Sequence, residues 1–371
     1  MICNKLSIEN YRNISSAEIE FSPGVNILIG DNAEGKTNAL EAVYLFALGK
    51  SFRGAKEKDL ILFGEERASV GMEYTAAGRE QSLEIKYSAL GRRNIFRNKV
   101  KLAKMSELIG EFKAVLFCPE HLSLIKEGPG ERRGFLDVAI SQIKPVYMKS
   151  LQRYNIILAN RNKLLKEAEE NRSHFQSMIE VLSYQLACEA GIIAAARAEY
   201  VSELKKYVSD CFYDMTGERE KPEVYYIGSA KEEDPMAYFD PEHIKARYFE
   251  LLLSKTEREI AAGSTLYGIH KDDIGIDLNG RSARLFASQG QQRSLALSLK
   301  LSEGQISRDA DGEEPIYLFD DVLSELDSGR RDYVCSCLEG RQVIMTTCEK
   351  DFAYPGSPKM IAVKNGTYVS L

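Results

Sequence analysis

Lys36 and Thr37, set behind Gly30-Asp31-Asn32-Ala33-Glu34-Gly35, are the residues of this chain best equipped for phosphate chemistry. The spacing is G-x-x-x-x-G-K-T. The two glycines allow close backbone approach to an anion, and the amides of residues 31–37, with Asn38 directly behind, can wrap phosphates. The lysine reaches the β- and γ-phosphates, and the threonine hydroxyl suits Mg²⁺. A second group lies far downstream. Pro315-Ile316-Tyr317-Leu318-Phe319-Asp320-Asp321 is an apolar run ending in two acids. At the carboxyl edge of a sheet, Asp320 would hold a metal shell and Asp321 would orient or deprotonate a water. Between the two groups, Ser288-Gln289-Gly290-Gln291-Gln292-Arg293 precedes the apolar helical stretch 294–301. Such a helix start can bind an anion; it can equally be an N-cap with no ligand. Ser324-Glu325-Leu326-Asp327 follows the acids.

The elements needed to position these residues are legible. Residues 25–29 read as a buried strand feeding the glycine loop, and Leu40, Val43, Ala47 and Leu48 recur at helical spacing after it. Residues 68–104 read as a β-meander with glycine-bearing turns. Its last strand carries Arg92, Arg93 and Arg97, followed by Lys99, Lys101 and Lys104. That pattern fits a solvated sheet face or a patch contacting nucleic-acid phosphates at Arg92, Arg93 and Arg97. Residues 131–216 form a helical block whose apolar seam implies packing between antiparallel helices, broken by the polar stretch 167–173. Residues 217–242 read as loop or exposed strand, 243–262 as a further helix, and 359–371 as a hairpin around Asn365-Gly366. The expected organisation is a nucleotide-binding lobe from both chain ends, 1–118 and 263–371, with a helical lobe inserted at 119–262.

Bulk properties narrow the classes. The chain has 371 residues, 44% hydrophobic and 28% charged, with a net charge of −6. That balance argues mildly against nucleic acid as a partner of the whole surface, so any such contact must be local. Seven scattered cysteines fit reduced thiols. The start lacks the apolar core of a leader peptide, and no apolar run approaches the ~20 residues that span a bilayer. A cytoplasmic protein is expected.

The order of these motifs resembles the ATPase heads of the ABC/SMC superfamily, and most closely the RecF family of DNA repair proteins. The segments that carry the resemblance are Asn10-Tyr11-Arg12-Asn13, residues 30–38, Lys50-Ser51-Phe52-Arg53-Gly54 and Phe117-Cys118-Pro119-Glu120. Further on come Arg132-Arg133 and Leu136-Asp137 within 128–137, then Tyr154, Arg161-Asn162 and Gly268-Ile269-His270-Lys271-Asp272-Asp273. Together they cover essentially the whole chain. The resemblance implies an α/β fold: an ABC-type head, with a P-loop mixed sheet, helices and an antiparallel meander, plus an inserted helical arm. It implies ATP and Mg²⁺ as cofactors, with Lys36, Asp320 and Asp321 catalytic. It implies a homodimer in which Ser288, Gln289, Gly290 and Gln291 of one subunit contact the γ-phosphate held by residues 30–37 of the other. Asp327 would touch the partner subunit, and Arg12 would lie near the nucleotide. The implied activity is a weak DNA-dependent ATPase on duplex DNA and its junctions, acting with RecO and RecR to load RecA at gaps.

Three departures, two from the transporter pattern and one at Lys271 from the family itself, bear on rate. Asp321 stands where transporters place glutamate, Thr346-Thr347-Cys348 occupies the region of the usual switch histidine, and Lys271 replaces a more common arginine. Slow hydrolysis is therefore expected; a related ATP-switched DNA-structural protein with negligible hydrolysis is the alternative. A transporter subunit would need the glutamate and the histidine. A chromosome-organising SMC protein would need far longer heptad tracts, and a P-loop kinase would not need residues 288–293.

Overall fold

The computed structural model describes residues 1–122, 124–217, 220–349 and 354–371. The strands are β1 (Ile2–Tyr11), β2 (Ile14–Glu20), β3 (Val25–Ile29), β4 (Arg67–Ala76), β5 (Arg79–Ser88), β6 (Arg92–Arg97), β7 (Val100–Leu102), β8 (Ala114–Phe117), β9 (Pro222–Ile227), β10 (Asp273–Leu278), β11 (Arg281–Ser282), β12 (Ile316–Asp320), β13 (Val343–Thr347), β14 (Lys359–Lys364) and β15 (Thr367–Ser370). The helices are α1 (Lys36–Leu48), α2 (Pro119–Leu122), α3 (Pro129–Ile143), α4 (Pro145–Lys166), α5 (Arg172–Thr216), α6 (Pro241–Ser254), α7 (Thr256–Ala262), α8 (Ala283–Phe286), α9 (Gln289–Asp311) and α10 (Ser328–Cys337).

The chain divides into two compact units, Met1–Ser123 with Ala296–Leu371, and Leu124–Leu295. The first unit holds two six-stranded sheets. One is the antiparallel meander in the order β2-β1-β4-β5-β6-β7. Its tight turns at Ala77-Gly78 and Asn98-Lys99 have positive φ at both residues, which matches the twist of the strands they join. The other runs β15-β14-β3-β13-β12-β8, parallel except for its last hairpin, β14–β15. Asn365-Gly366 turns that hairpin, also with two positive φ values. β12 reads as a continuous apolar run because parallel strands are covered on both faces; Ile316, Tyr317, Leu318 and Phe319 are all buried.

The second unit holds α3 to α8 and the small sheet β11-β10-β9. Segment 263–295 was expected in the nucleotide lobe, yet it sits here. The reason is pairing: β10 runs antiparallel to β9, and α8 packs on β10. α9 is one continuous helix that crosses the division at 295/296. β9 and a short 3₁₀ turn, Pro235–Phe239, organise the stretch read as loop or exposed strand. α5 is long and apolar enough, by length and composition, to cross a membrane, which the sequence reading had not anticipated. Its alanine-rich middle instead packs in part against α4, α6 and β9.

Several segments that carried the family resemblance prove to be buried polar ties of this unit. Arg132 grips Asp273 with two bonds of 2.7 and 2.8 Å. Arg197 donates to Asp137 at 2.8 Å and to the Ile269 carbonyl at 2.7 Å. Asp272 accepts from the Ser229 amide at 2.7 Å and from the Tyr248 hydroxyl at 3.1 Å, and also from Tyr226. Asn162 accepts from the amide and hydroxyl of Thr265, both at 2.8 Å. Arg161 is fully buried; it donates to Ser183 and Thr265 and lies 2.7 Å from the Glu259 carboxylate. Removing one member strands a buried charge, whereas replacing both leaves an apolar core. Arg161→Met is therefore expected to destabilise the protein by about 3–5 kcal/mol. The double variant Arg161→Met/Glu259→Leu should recover most of that loss, as read by denaturant unfolding of the full chain.

Candidate functional site

The first unit assembles the sequence-predicted phosphate loop at the carboxyl end of β3. A side chain at Gly30 would put its Cβ 2.3 Å from the Val363 carbonyl of β14, so only glycine fits. Gly35 has φ 113° and caps α1. The loop carbonyls are braced from outside. The Asn13 amide donates to Ala33 at 3.1 Å, the Gly366 amide to Glu34 at 2.9 Å, and the Tyr368 hydroxyl to Gly35 at 2.9 Å. The Asn365 amide also binds the Glu34 carboxylate. With the carbonyls tied back, the N-terminal amides of α1 and its dipole are oriented for an anion. Asp31, Asn32 and Ala33 are exposed, and Ala33 takes a left-handed φ of 66°. Lys36 is buried, and its ammonium donates to the Gly30 and Asp31 carbonyls at 2.8 and 2.7 Å. Asn38 donates to Asn13 at 2.7 Å and accepts from Arg53 at 3.1 Å.

The acids arrive on β12, two strands from β3. The Thr37 hydroxyl donates to Asp320 at 2.7 Å, joining residues 283 apart in sequence. Thr346, at the end of β13, donates to the same oxygen at 2.9 Å and accepts from the Asp321 amide at 3.0 Å. Burial raises the Asp320 pKa above the ordinary aspartate value, although Thr37 and Thr346 pull the other way. Asp321 has a left-handed φ of 56°, and its carboxylate oxygens accept from Ser324 and Cys348, each at 3.3 Å.

Beside the loop lies a polar cavity of about 550 Å³, lined by Arg12, Asn13, Asn38, Arg53 and Lys58 among others. Its wall rests on Glu41, the one acid of α1. Arg12 grips Glu41 with two bonds, of 2.8 and 2.7 Å, and the Tyr11 hydroxyl adds one of 2.8 Å; Ser51 donates as well. Burial favours the neutral acid, but these donors more than offset it and hold Glu41 below the usual glutamate range. Sequence reasoning gave Glu41 and Tyr368 no role, and placed Thr346 only in the region of the usual switch histidine, without its contacts to the acids. A carboxylate inside α1 was a visible signal for Glu41; the other two look like ordinary strand residues.

The remaining predicted residues stand elsewhere. Ser288 opens α9 in the second unit with a reciprocal cap: its amide donates to the Gln291 side chain at 2.5 Å, and the Gln291 amide donates back to its hydroxyl at 3.3 Å. Gln291 also reaches Glu220, and Gln289 and Gly290 form the first turn. Asp327 caps α10 by accepting from the Arg330 amide at 3.0 Å. The structure does not gather the three arginines of β6 into one patch. Strand alternation sends Arg92 to one face and Arg93 and Arg97 to the other. There Arg93 pairs with Glu57, and Arg97 with Glu111 at 2.6 Å. Cross-strand partners place Arg92 on a face with Lys5, Lys86 and Lys101, but also with Glu9, Glu18, Glu20, Glu73 and Glu84. That face is charge-mixed.

A family model described as the RecF/RecN/SMC N terminal domain matches residues 2–366. Curated DNA replication and repair proteins RecF from Lactobacillus delbrueckii subsp. bulgaricus and Clostridium acetobutylicum are 36% and 38% identical to this chain. The alignments span 95% and 93% of it, and 92% of each relative. The chain belongs to the RecF family. A solved structure of the recombination mediator protein RecF-ATPrS in the RecFOR pathway superposes with a TM-score of 0.93 at 35% identity, covering 100% of this chain and 98% of that one. The corresponding RecF-ATP structure gives 0.92. An Smc head domain from Pyrococcus furiosus shares the fold at a TM-score of 0.57 and 18% identity. The architecture is thus the ABC-type ATPase head expected from the sequence, with the helical arm.

The lowered Glu41 titration has a signed consequence. Its stabilisation is complete above the ordinary glutamate range and is lost as pH falls through the depressed folded value. Glu41→Gln should cost about 1–3 kcal/mol at neutral pH. The gap between variant and parent unfolding midpoints should close toward acid, as read by thermal melts across pH.

Proposed function

We propose that this protein binds ATP with Mg²⁺ and closes as a dimer over two nucleotides, holding DNA during recombinational repair and letting go after slow hydrolysis. The observation that carries the reading is the 2.7 Å contact between the Thr37 hydroxyl and Asp320, which sets two hard oxygens beside the phosphate loop. Oxygen donors of this kind suit Mg²⁺. When bound, Mg²⁺ would neutralise charge on the β- and γ-phosphates. Lys36 would release its loop carbonyls for the phosphate oxygens, and residues 31–38 would supply the cradle. Asp321 would take the proton of a water whose oxygen bonds to the γ-phosphorus as the bond to the β-phosphate oxygen breaks, leaving ADP and phosphate.

Family membership and the solved RecF-ATP relatives support ATP as the ligand. The RecFOR pathway named for those relatives supports RecO and RecR as partners; on this reading the outcome would be RecA loading at gapped DNA. Ser288, Gln289, Gly290 and Gln291 would meet the γ-phosphate held by a second copy, and Asp327 would lie at that junction. The reciprocal Ser288–Gln291 cap supports this role by holding the α9 helix start in one conformation. Each charge-assisted hydrogen bond nets about 1.5–3 kcal/mol, so a few γ-phosphate contacts move a dimerisation constant by decades. Hydrolysis removes them, and ATP acts as a timer on DNA residence.

Ser288→Arg should leave ATP binding intact and abolish ATP-induced dimers. Light scattering without nucleotide, with ADP and with a non-hydrolysable ATP analogue, each with and without duplex DNA, reads the result. Persisting dimers in that variant would remove the sandwich. Asp321→Asn should slow hydrolysis and lengthen dimer lifetime; unchanged phosphate release would take the base role from Asp321.

A further inference from the structure

We propose that Thr346 is a positioning residue for hydrolysis, whose single hydroxyl locks both acids of the Asp320–Asp321 pair to each other and to the phosphate loop. The inference rests on the ATPase reading above. Thr346 is buried at the carboxyl end of β13, with Leu28 of β3 as its register partner on one side and Asp320 of β12 on the other. It is therefore the cross-strand link between the strand that feeds the loop and the strand that ends in the acids.

A hydroxyl has one proton to donate and lone pairs to accept with, and Thr346 uses both. It donates to Asp320 at 2.9 Å and accepts from the Asp321 amide at 3.0 Å. The first bond joins the one from Thr37 on the same carboxylate oxygen, so Asp320 is aimed from two sides. The second fixes the amide of a residue with φ 56°, a left-handed backbone conformation that a non-glycine residue adopts only when its surroundings hold it there. Two residues on, the Cys348 thiol donates to one Asp321 carboxylate oxygen at 3.3 Å, while the Ser324 hydroxyl donates to the Asp321 carbonyl at 2.7 Å and lies 3.3 Å from the other carboxylate oxygen. Packing does not explain the hydroxyl. The residues before it in β13, Ile344 and Met345, are apolar and the one after it is Thr347, all of them buried, and valine would fill the same volume in a buried strand. What threonine adds is the pair of hydrogen bonds.

The test compares Thr346→Val and Thr346→Ser in the full-length protein. Thr346→Val is expected to lower kcat for ATP by about 10–100-fold while leaving KM within a factor of about two, the size of effect seen when partners behind a ligating carboxylate are removed. It should also raise the magnesium concentration for half-maximal binding of a fluorescent non-hydrolysable ATP analogue, a reading independent of turnover. Thr346→Ser, which keeps the hydroxyl, should recover most of both losses. Parental kcat and magnesium dependence in Thr346→Val would overturn the proposal. So would a serine variant as impaired as the valine one, because Thr346 would then be acting by shape. Analogue binding without magnesium checks that each variant is folded. A parent that neither binds nor hydrolyses ATP sinks the ATPase reading itself; a competent parent matched by Thr346→Val sinks only the positioning role.

Discussion

One register holds the candidate site together: β3, β13 and β12 run side by side and parallel, with Leu28 opposite Thr346 and Thr346 opposite Asp320. This pairing brings residue 37 and residue 320 within a hydrogen bond. Side chains alternate along a strand, so a slip of one residue in β13 would turn Thr346 away from both acids and present Met345 instead. Every contact described for Asp320 and Asp321 inherits that constraint. The braces on the loop depend on it too, because β14 pairs with β3 and carries the hairpin that supplies Asn365, Gly366 and Tyr368.

The motifs and their supporting elements were legible because their physics is local. A strand, a glycine loop and a helix, or an apolar run ending in two acids, can be read from spacing alone. The braces were not legible. Asn13 and Thr346 stood in segments that the family resemblance or the missing switch histidine marked, but their contacts were not readable, because Asn13 reaches the loop from the β1–β2 turn and Thr346 and Tyr368 reach the site from other strands; nothing around Tyr368 marks it at all. Segment 263–295 was assigned to the wrong side of the division for the same reason: its place is set by pairing between β10 and β9, some 50 residues apart. The motif-bearing residues Arg132, Tyr154, Arg161 and His270 were readable as family marks but not as what they are physically. Tyr154 donates to or accepts from His270 at 2.7 Å, and the other two anchor the buried ties of the helical unit.

Charge offers a similar lesson about reach. An arginine-rich strand in a sequence suggests a patch, yet a strand divides its residues between two faces. In β6 the division leaves Arg93 and Arg97 in ion pairs, and Arg92 among acids and bases of a mixed sheet face. With a net charge of −6, this molecule has no general attraction for a polyanion. The ATP-driven pairing proposed above would suit that charge balance, because two weak local surfaces presented together would gain effective concentration that neither has alone.

Asp321 brings these threads to the question of rate. Its backbone is held in a left-handed conformation, its amide is tied to Thr346, and both its oxygens accept weak bonds from Ser324 and Cys348. A side chain so placed is aimed by its backbone, and it is one methylene shorter than glutamate. For an enzyme selected on turnover that would be a handicap. For the ATP-timed clamp proposed above it would be no handicap, because there the interval before hydrolysis would be the useful output. On the proposed reading the Thr346 hydroxyl acts in one direction: it places the acid pair where hydrolysis can occur, and what makes hydrolysis slow is the short reach of Asp321 rather than the hydroxyl that holds it.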